Sequence, residues 1–425
     1  MTRLMNEIKK GLGAETHNSA TVKCYQTYIQ DLPSGNETGQ HIVLDLAGIN
    51  FRVILVTLKK NSRYEEQIRT YSFPLEIING QHEKFFDFIA DCLNLFLEDL
   101  NLNTKNLGLG FCFGFTVELE GLTKAILVHW SKWFSLPSVV GKDVVALLKD
   151  ACKKKGLNVH PILITNDTTD CLLSCLWTIP KCRMGVIIGR GTNACYLEKI
   201  ENIGTFKGDP TKPYMIINTE WANFGNNGCL DHVRNDFDRE VDQISKNPGI
   251  QIFEKMASAL YLGELVRLTV LKAAKLKLLF EGETSEMLHR PMSFLPEFIY
   301  EIENDNTYEL YRTLGILEVM QLNNASLQDC VNVKYICKVI VRRSAYLIAA
   351  AISAVVNKMG VTPIAIAFSG SLFKKHHKYK DLLHNKVKGM INPEIQTECM
   401  CLKNGIGKGT AMLMANYSIK HSHTQ

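Results

Sequence analysis

The feature that most constrains the fold is a strand–turn–strand pattern that occurs twice, roughly 140 residues apart. In the first copy, Leu44 and Leu46 alternate about Asp45 and predict a strand over His41–Leu46. A tight turn at Ala47-Gly48 leads into a second strand over Phe51–Leu58, placing Asp45, Gly48 and Asn50 on one hairpin. The second copy, MGVIIGRGTNACYLEKI from Met184, has the same order of β-rich run, Gly-containing turn and β-rich run. Its Gly191-Thr192-Asn193 echoes Gly48-Ile49-Asn50. Two such units predict a duplicated fold.

Between and beyond the hairpins the pattern alternates. Phe85, Phe88, Ile89, Cys92, Leu93 and Phe96 have helical spacing within Lys84–Asp99. A strand is expected over Leu107–Phe113, a helix over Lys142–Lys154, and a strand over Pro161–Thr165 that stops at Asn166-Asp167-Thr168. Helical pattern dominates Asp231 to Leu279, and PIAIAFSGS supplies a third β–turn signal at Pro363–Ser371. Gly405-Ile406-Gly407-Lys408-Gly409 opens a final Ala/Met-rich helix. Backbone amides at glycine turns after strands can cradle phosphates, which points to a nucleotide enzyme. The run Lys374 to Lys378 reads as a solvated helix start.

Composition excludes several classes. At 425 residues the chain has room for two or three domains. A content of 46% hydrophobic and 21% charged residues excludes extended disorder. A net charge of +5 is too mild for nucleic-acid binding. The 13 cysteines are odd in number and form no CxxC pair, and MTRLMNEIKK lacks a signal-type apolar stretch. They are expected to be reduced thiols, with Cys399 and Cys401 in core or surface roles rather than on zinc. The nearly apolar run Ala345–Val356 is shorter than the ~20 residues of a membrane span and suits a buried helix. A soluble, cytoplasmic chain without a stable membrane anchor is expected.

Several blocks in order resemble the eukaryotic hexokinase family. The hairpin LDLAGINFRV is similar to that family's LDLGGTNFRV, and LGFCFGFT…LVHWSKWF resembles its sugar segment. Asn166-Asp167-Thr168 matches its NDT block, Asn193 to Tyr196 its NACY strand, and Asn218 to Trp221 its NTEW block. Asn247 to Arg267 and Leu278 to Glu283 follow in the family's order. The resemblance covers roughly residues 7–416, about one hexokinase unit. It implies an α/β, actin-like (ribonuclease-H-like) duplicated fold with a small and a large domain around a deep cleft. Residues 1–167 are expected to form the small domain, with the C-terminal helix 405–425 packing back on it, and 168–404 the large one.

The implied activity is ATP-dependent phosphorylation of a hexose, glucose first, at its 6-hydroxyl, with Mg²⁺ and no metal ligand assigned in the chain. A monomer acting on hexose and ATP, with no nucleic-acid partner, is expected. By resemblance, Asp167 is the base and Lys132 supplies positive charge near the reacting oxygen. Ser131, Lys132, Asn166, Asp167, Asn193, Glu220, Gln251 and Glu254 bind the sugar. Amides and carboxylates suit that task because each can bridge neighbouring hydroxyls. The nucleotide is assigned to Asp45, Gly48, Asn50, Arg52, Gly189, Arg190, Gly191, Thr192, Gly370, Ser371, Gly405 and Lys408. Without the resemblance, a strand-end Asp such as Asp167 reads as a helix N-cap.

The chain also departs from the family pattern. Gly114 replaces a serine that touches the sugar, Thr116 a proline, Trp133 a glycine, and His129 an asparagine. His129 is expected to pack or to contact water. On the nucleotide side, Ala47, Ile49, Arg190, Ser369, Ile406 and Thr410 replace family residues. The intact Asp167/Lys132 pair and sugar set favour an active kinase. The alternative is a sugar-binding regulatory paralogue with weak or no kinase activity. Another actin-fold ATPase is disfavoured by the sugar block around Ser131, Asn166 and Glu254.

Overall fold

The computed structural model describes residues 1–46, 48, 50–102, 107–131, 134–402 and 407–422. In chain order its strands are β1 (Tyr25–Gln26), β2 (Gly39–Leu46), β3 (Asn50–Lys59), β4 (Arg63–Ser72) and β5 (Leu107–Phe113). These are followed by β6 (Thr116–Leu119), β7 (Ala125–His129), β8 (Val159–Thr165), β9 (Cys182–Ile188) and β10 (Thr192–Lys199). β11 (Tyr214–Asn218), β12 (Ile364–Ser369) and β13 (Thr397–Cys401) complete the set.

Two sheets share one topology. The first runs β4-β3-β2-β5-β8, and the second runs β1-β11-β10-β9-β12-β13. In the first, β2, β3 and β4 pair antiparallel, while β5 and β8 add parallel to them. In the second, β9, β10 and β11 pair antiparallel, and β12 and β13 add parallel. The echoing hairpins are therefore the same two strands of two equivalent sheets. Leu46 faces Phe51 across the first turn, and Ile188 faces Thr192 across the second.

Each sheet hands its last helix to the other. Helix Asp167–Leu176 follows β8 of the first sheet, yet its Leu172 and Leu173 pack with Cys195, Ile216, Ala365 and Ala367 of the second. Helix Lys408–Ser422 follows β13 of the second sheet, yet its Ala411, Met412 and Ala415 pack with Val43, Ile54 and Cys112 of the first. Glycines in the underlying strands make room for both. A Cβ on Gly185 would lie 2.6 Å from Thr168 O, and one on Gly110 would lie 2.4 Å from Thr410 Cγ2.

The second sheet is backed by a large helical core. Helix Leu327–Met359 is long and apolar enough to cross a membrane by length and composition. It buries Val333, Cys337, Val341 and Ile348 against Leu262, Val266 and Tyr379 of that core. The Ala345–Val356 run is thus the inner part of a core helix. All 13 cysteines are free thiols, and most are buried.

Candidate active site

One cleft gathers most of the residues singled out in the sequence. Ser131, Asn166, Asp167, Asn193, Glu220, Gln251 and Glu254 line a single cavity. Gly189, Arg190, Gly191, Thr192, Gly370 and Ser371 line the same cavity, and Ser369 joins them. Its walls come from both halves: the β5–β6 and β7 ends on one side, and the β9–β10 turn and the end of β12 on the other.

The local structure explains each placement. β8 ends at Thr165, and the next residue, Asn166, N-caps helix Asp167–Leu176. Asn166 Oδ1 accepts the Thr168 N–H at 2.8 Å and also the Thr168 hydroxyl. The cap is therefore Asn166 and not Asp167, correcting the simple strand-end reading. Asp167 is left half-buried in the first turn, on the cavity wall, with Oδ1 2.9 Å from the Thr168 amide.

The carboxylates and amides opposite are held rigidly. Glu220 and Gln251 adopt left-handed backbone, with φ of 52° and 58°. Such conformations cost about 1–3 kcal/mol in a non-glycine residue and persist where surrounding structure fixes them. Glu220 Oε1 accepts from Asn193 Nδ2 at 3.0 Å and from Asn218 Nδ2 at 2.8 Å, while Oε2 accepts from Thr116 Oγ1 at 2.8 Å. Gln251 Oε1 accepts from Asn247 Nδ2 at 2.7 Å. Glu254 Oε2 accepts the Thr192 amide at 2.8 Å, tying the sugar set to the second hairpin turn. Glu220, Gln251 and Glu254 are all buried.

At the glycine turns two strand ends lie back to back. A Cβ on Gly370, whose φ is 107°, would sit 2.4 Å from Ile188 O, and one on Gly189 would sit 3.2 Å from Ser371 N. At Gly370 only glycine lets these chains close. Arg190 is exposed between Gly189 and Gly191 and lines the cavity.

Of the expected nucleotide set, Asp45, Gly48, Asn50, Arg52 and Lys408 do not line this cavity. Arg52 binds Asp45, with Nε 2.9 Å from Oδ2, and the pair sits at the β2–β3 end together with Gly48. Asn50 Oδ1 accepts the Ser72 hydroxyl at 2.7 Å, bracing β3 against β4. Lys408 departs furthest from expectation. It is buried, with Nζ 4.9 Å from the Tyr64 ring and 5.7 Å from the Trp177 ring, on a separate pocket beside Cys175 and Leu402. Burial holds its ammonium below the usual lysine range. Lys132 and Gly405, like Ala47, Ile49, Trp133 and Ile406, lie outside the described residues.

Sequence reasoning assigned no role to Asp170, one turn beyond Asp167. It is fully buried, and burial pushes its carboxyl up to about 6 despite hydrogen bonds from Thr410. Thr116 and His129, noted only as departures, reach the site. His129 Nε2 is 3.3 Å from Thr116 Oγ1, so the imidazole meets a side chain that is itself bonded to Glu220. Burial holds this imidazole below the usual histidine range, with Glu220 pulling the other way.

Comparison with known proteins identifies the arrangement. Two hexokinase family models match, one over residues 1–177 and the other over 183–416. The chain belongs to the hexokinase family. Human hexokinase-1 is 38% identical over all of this chain and 47% of its own length. Mouse hexokinase HKDC1 is 38% identical over 98% of this chain and 46% of its own. The chain thus spans about half the length of the curated hexokinases it matches. A solved hexokinase from Schistosoma mansoni, complexed with glucose, superposes with a TM-score of 0.94 at 35% identity, covering 98% of this chain and 94% of that one. A second hexokinase structure gives 0.79 at 25% identity, covering 97% and 94%. The fold is accordingly the hexokinase fold, an actin-like pair of α/β halves.

Proposed function

We propose that this chain transfers the terminal phosphoryl group of ATP to the 6-hydroxyl of a hexose, as the first step of sugar breakdown. The observation that carries this is the convergence of Asn193, Glu220, Gln251 and Glu254 around the same cavity as Asp167. Glucose is the hexose assigned, because the Schistosoma mansoni hexokinase was solved with glucose. Asp167, on the cavity wall, takes the proton from the attacking hydroxyl while the amides and carboxylates fix the sugar. Phosphoryl transfer needs positioning and charge stabilisation more than covalent help, and Lys132 and Ser131 are assigned that part from the family pattern.

The phosphates are assigned to the glycine turns at Gly189–Thr192 and Gly370-Ser371, which line the cavity and pack closely on each other. Arg190, exposed on that wall, is the side chain placed to meet phosphate charge. Among the described residues no group of three or more His, Cys, Asp or Glu side chains converges. Mg²⁺ is the metal assigned with ATP; it keeps several of its waters and is held largely by substrate phosphates. When bound with ATP it would neutralise the developing phosphate charge. A cytoplasmic monomer is the form proposed.

The test is formation of hexose 6-phosphate at millimolar ATP and Mg²⁺, with sugar-induced tryptophan fluorescence measured in parallel. Turnover that disappears in Asp167→Asn supports the assignment. Sugar binding without turnover in the wild-type chain overturns it in favour of a sugar sensor.

A further inference from the structure

We propose that Thr116, backed by His129, is a positioning residue that aims the Glu220 carboxylate at the sugar; this rests on the hexose-binding reading above. A carboxylate offers about four lone-pair sites. Among the described residues three on Glu220 are taken: two on Oε1 by Asn193 and Asn218, and one on Oε2 by Thr116. The remaining site on Oε2 is the one available to a ligand hydroxyl, and the Thr116 bond sets where it points.

Two features distinguish this bond from the others. The asparagines come from β10 and β11, on the same half of the molecule as Glu220. Thr116 starts β6 on the opposite half, so its hydroxyl holds the carboxylate from across the cleft. Second, Thr116 has a single hydroxyl hydrogen and gives it to Glu220, so Thr116 Oγ1 is an acceptor toward His129 Nε2 at 3.3 Å. His129 stands directly opposite Thr116 in the β6–β7 ladder. The chain of donors therefore runs from His129 through Thr116 to Glu220. A proline at position 116 would carry no such donor. The Thr116 hydroxyl reaches the carboxylate, and the His129 imidazole fixes that hydroxyl's rotor.

The experiment uses the full chain with glucose and ATP–Mg²⁺. Thr116→Val keeps the shape and removes the donor. It is expected to raise the glucose KM and the dissociation constant read by tryptophan fluorescence about tenfold, the scale of a bond to a charged group. The kcat and the ATP KM should stay within about twofold. Thr116→Ser is expected to restore most of the affinity, which separates lost positioning from lost packing. His129→Ala is expected to cost about threefold in glucose KM alone and nothing further in the Thr116→Val background, because it acts through the hydroxyl. Unchanged glucose affinity in Thr116→Val, a serine variant as weak as the valine one, or an undiminished His129→Ala effect in the double variant would each overturn the assignment. Absence of any hexose binding by the wild-type chain overturns this inference and the hexokinase reading together. Wild-type binding that Thr116→Val leaves intact removes this inference alone.

Discussion

Asp170→Asn isolates one buried carboxyl whose effect on stability has a defined sign. Asp170 is fully buried in the first turn of helix Asp167–Leu176, where it meets helix Lys408–Ser422. Its Oδ1 accepts the Thr410 amide at 2.7 Å and the Thr410 hydroxyl at 2.8 Å. Burial is the largest influence and raises the carboxyl from the ordinary 3.8 to about 6, the Thr410 bonds opposing. Between those two values the folded chain keeps a proton on Asp170 that the unfolded chain has released. The folded state then binds more protons, so stability falls as pH rises through about 4 to 6 and levels off above. A rise of this size, at about 1.4 kcal/mol per pH unit, costs the folded state ~3 kcal/mol at neutral pH. Asparagine keeps an oxygen for Thr410 and carries no charge. Thermal unfolding of both proteins across pH 4 to 7.5 should therefore show the variant gaining on the wild type by ~3 kcal/mol, or about 3 °C for a chain this long. Parallel curves, or a variant that loses ground as pH rises, would refute the account.

Three further outcomes are expected. Asp167→Asn should lower kcat by about 10²–10⁴, the usual contribution of a general base, with glucose-induced fluorescence retained. Gly191→Ala would place a Cβ 2.5 Å from Glu254 Oε2, so the carboxylate must swing off the Thr192 amide; glucose KM should rise about 10–100-fold by initial-rate kinetics, and an unchanged value would mean Glu254 does not hold the sugar. Lys408→Met should leave the ATP KM unchanged, since the ammonium lies on Tyr64 and Trp177; a tenfold rise would return it to the nucleotide site.

What the sequence made legible follows its periodicity. The two hairpins, the strand ending at Thr165 and the helix at 82–99 all carry clean apolar spacing, and the structure has each of them. β4 gave no such signal, because Arg63–Ser72 is an edge strand with polar residues on both faces and is defined by its pairing to β3. The histidines at 376 and 377 read as solvated, yet His376 is buried, caps helix His377–Lys388 through Tyr379 N, and lies 3.4 Å from Glu303. Charge runs hide such exceptions, since burial depends on partners far along the chain. For the site, ordered motifs pointed to the residues around the cavity. The family resemblance placed Lys408 with the nucleotide, whereas in the structure its ammonium lies against Tyr64 and Trp177. Thr116 and His129 stood out as departures, but their relation to Glu220 depends on two strands and a turn from different halves.

The exchange of final helices between the sheets has a consequence for synthesis. The first sheet is complete once β8 has been made, but the helix that covers one of its faces comes from residues 408–422. At about 5–20 residues per second, that cover arrives roughly 10–50 s later. During that interval Val43, Ile54 and Cys112 have no permanent partner on that side, so the nascent chain is most exposed to chaperones and to aggregation while its second half is being translated.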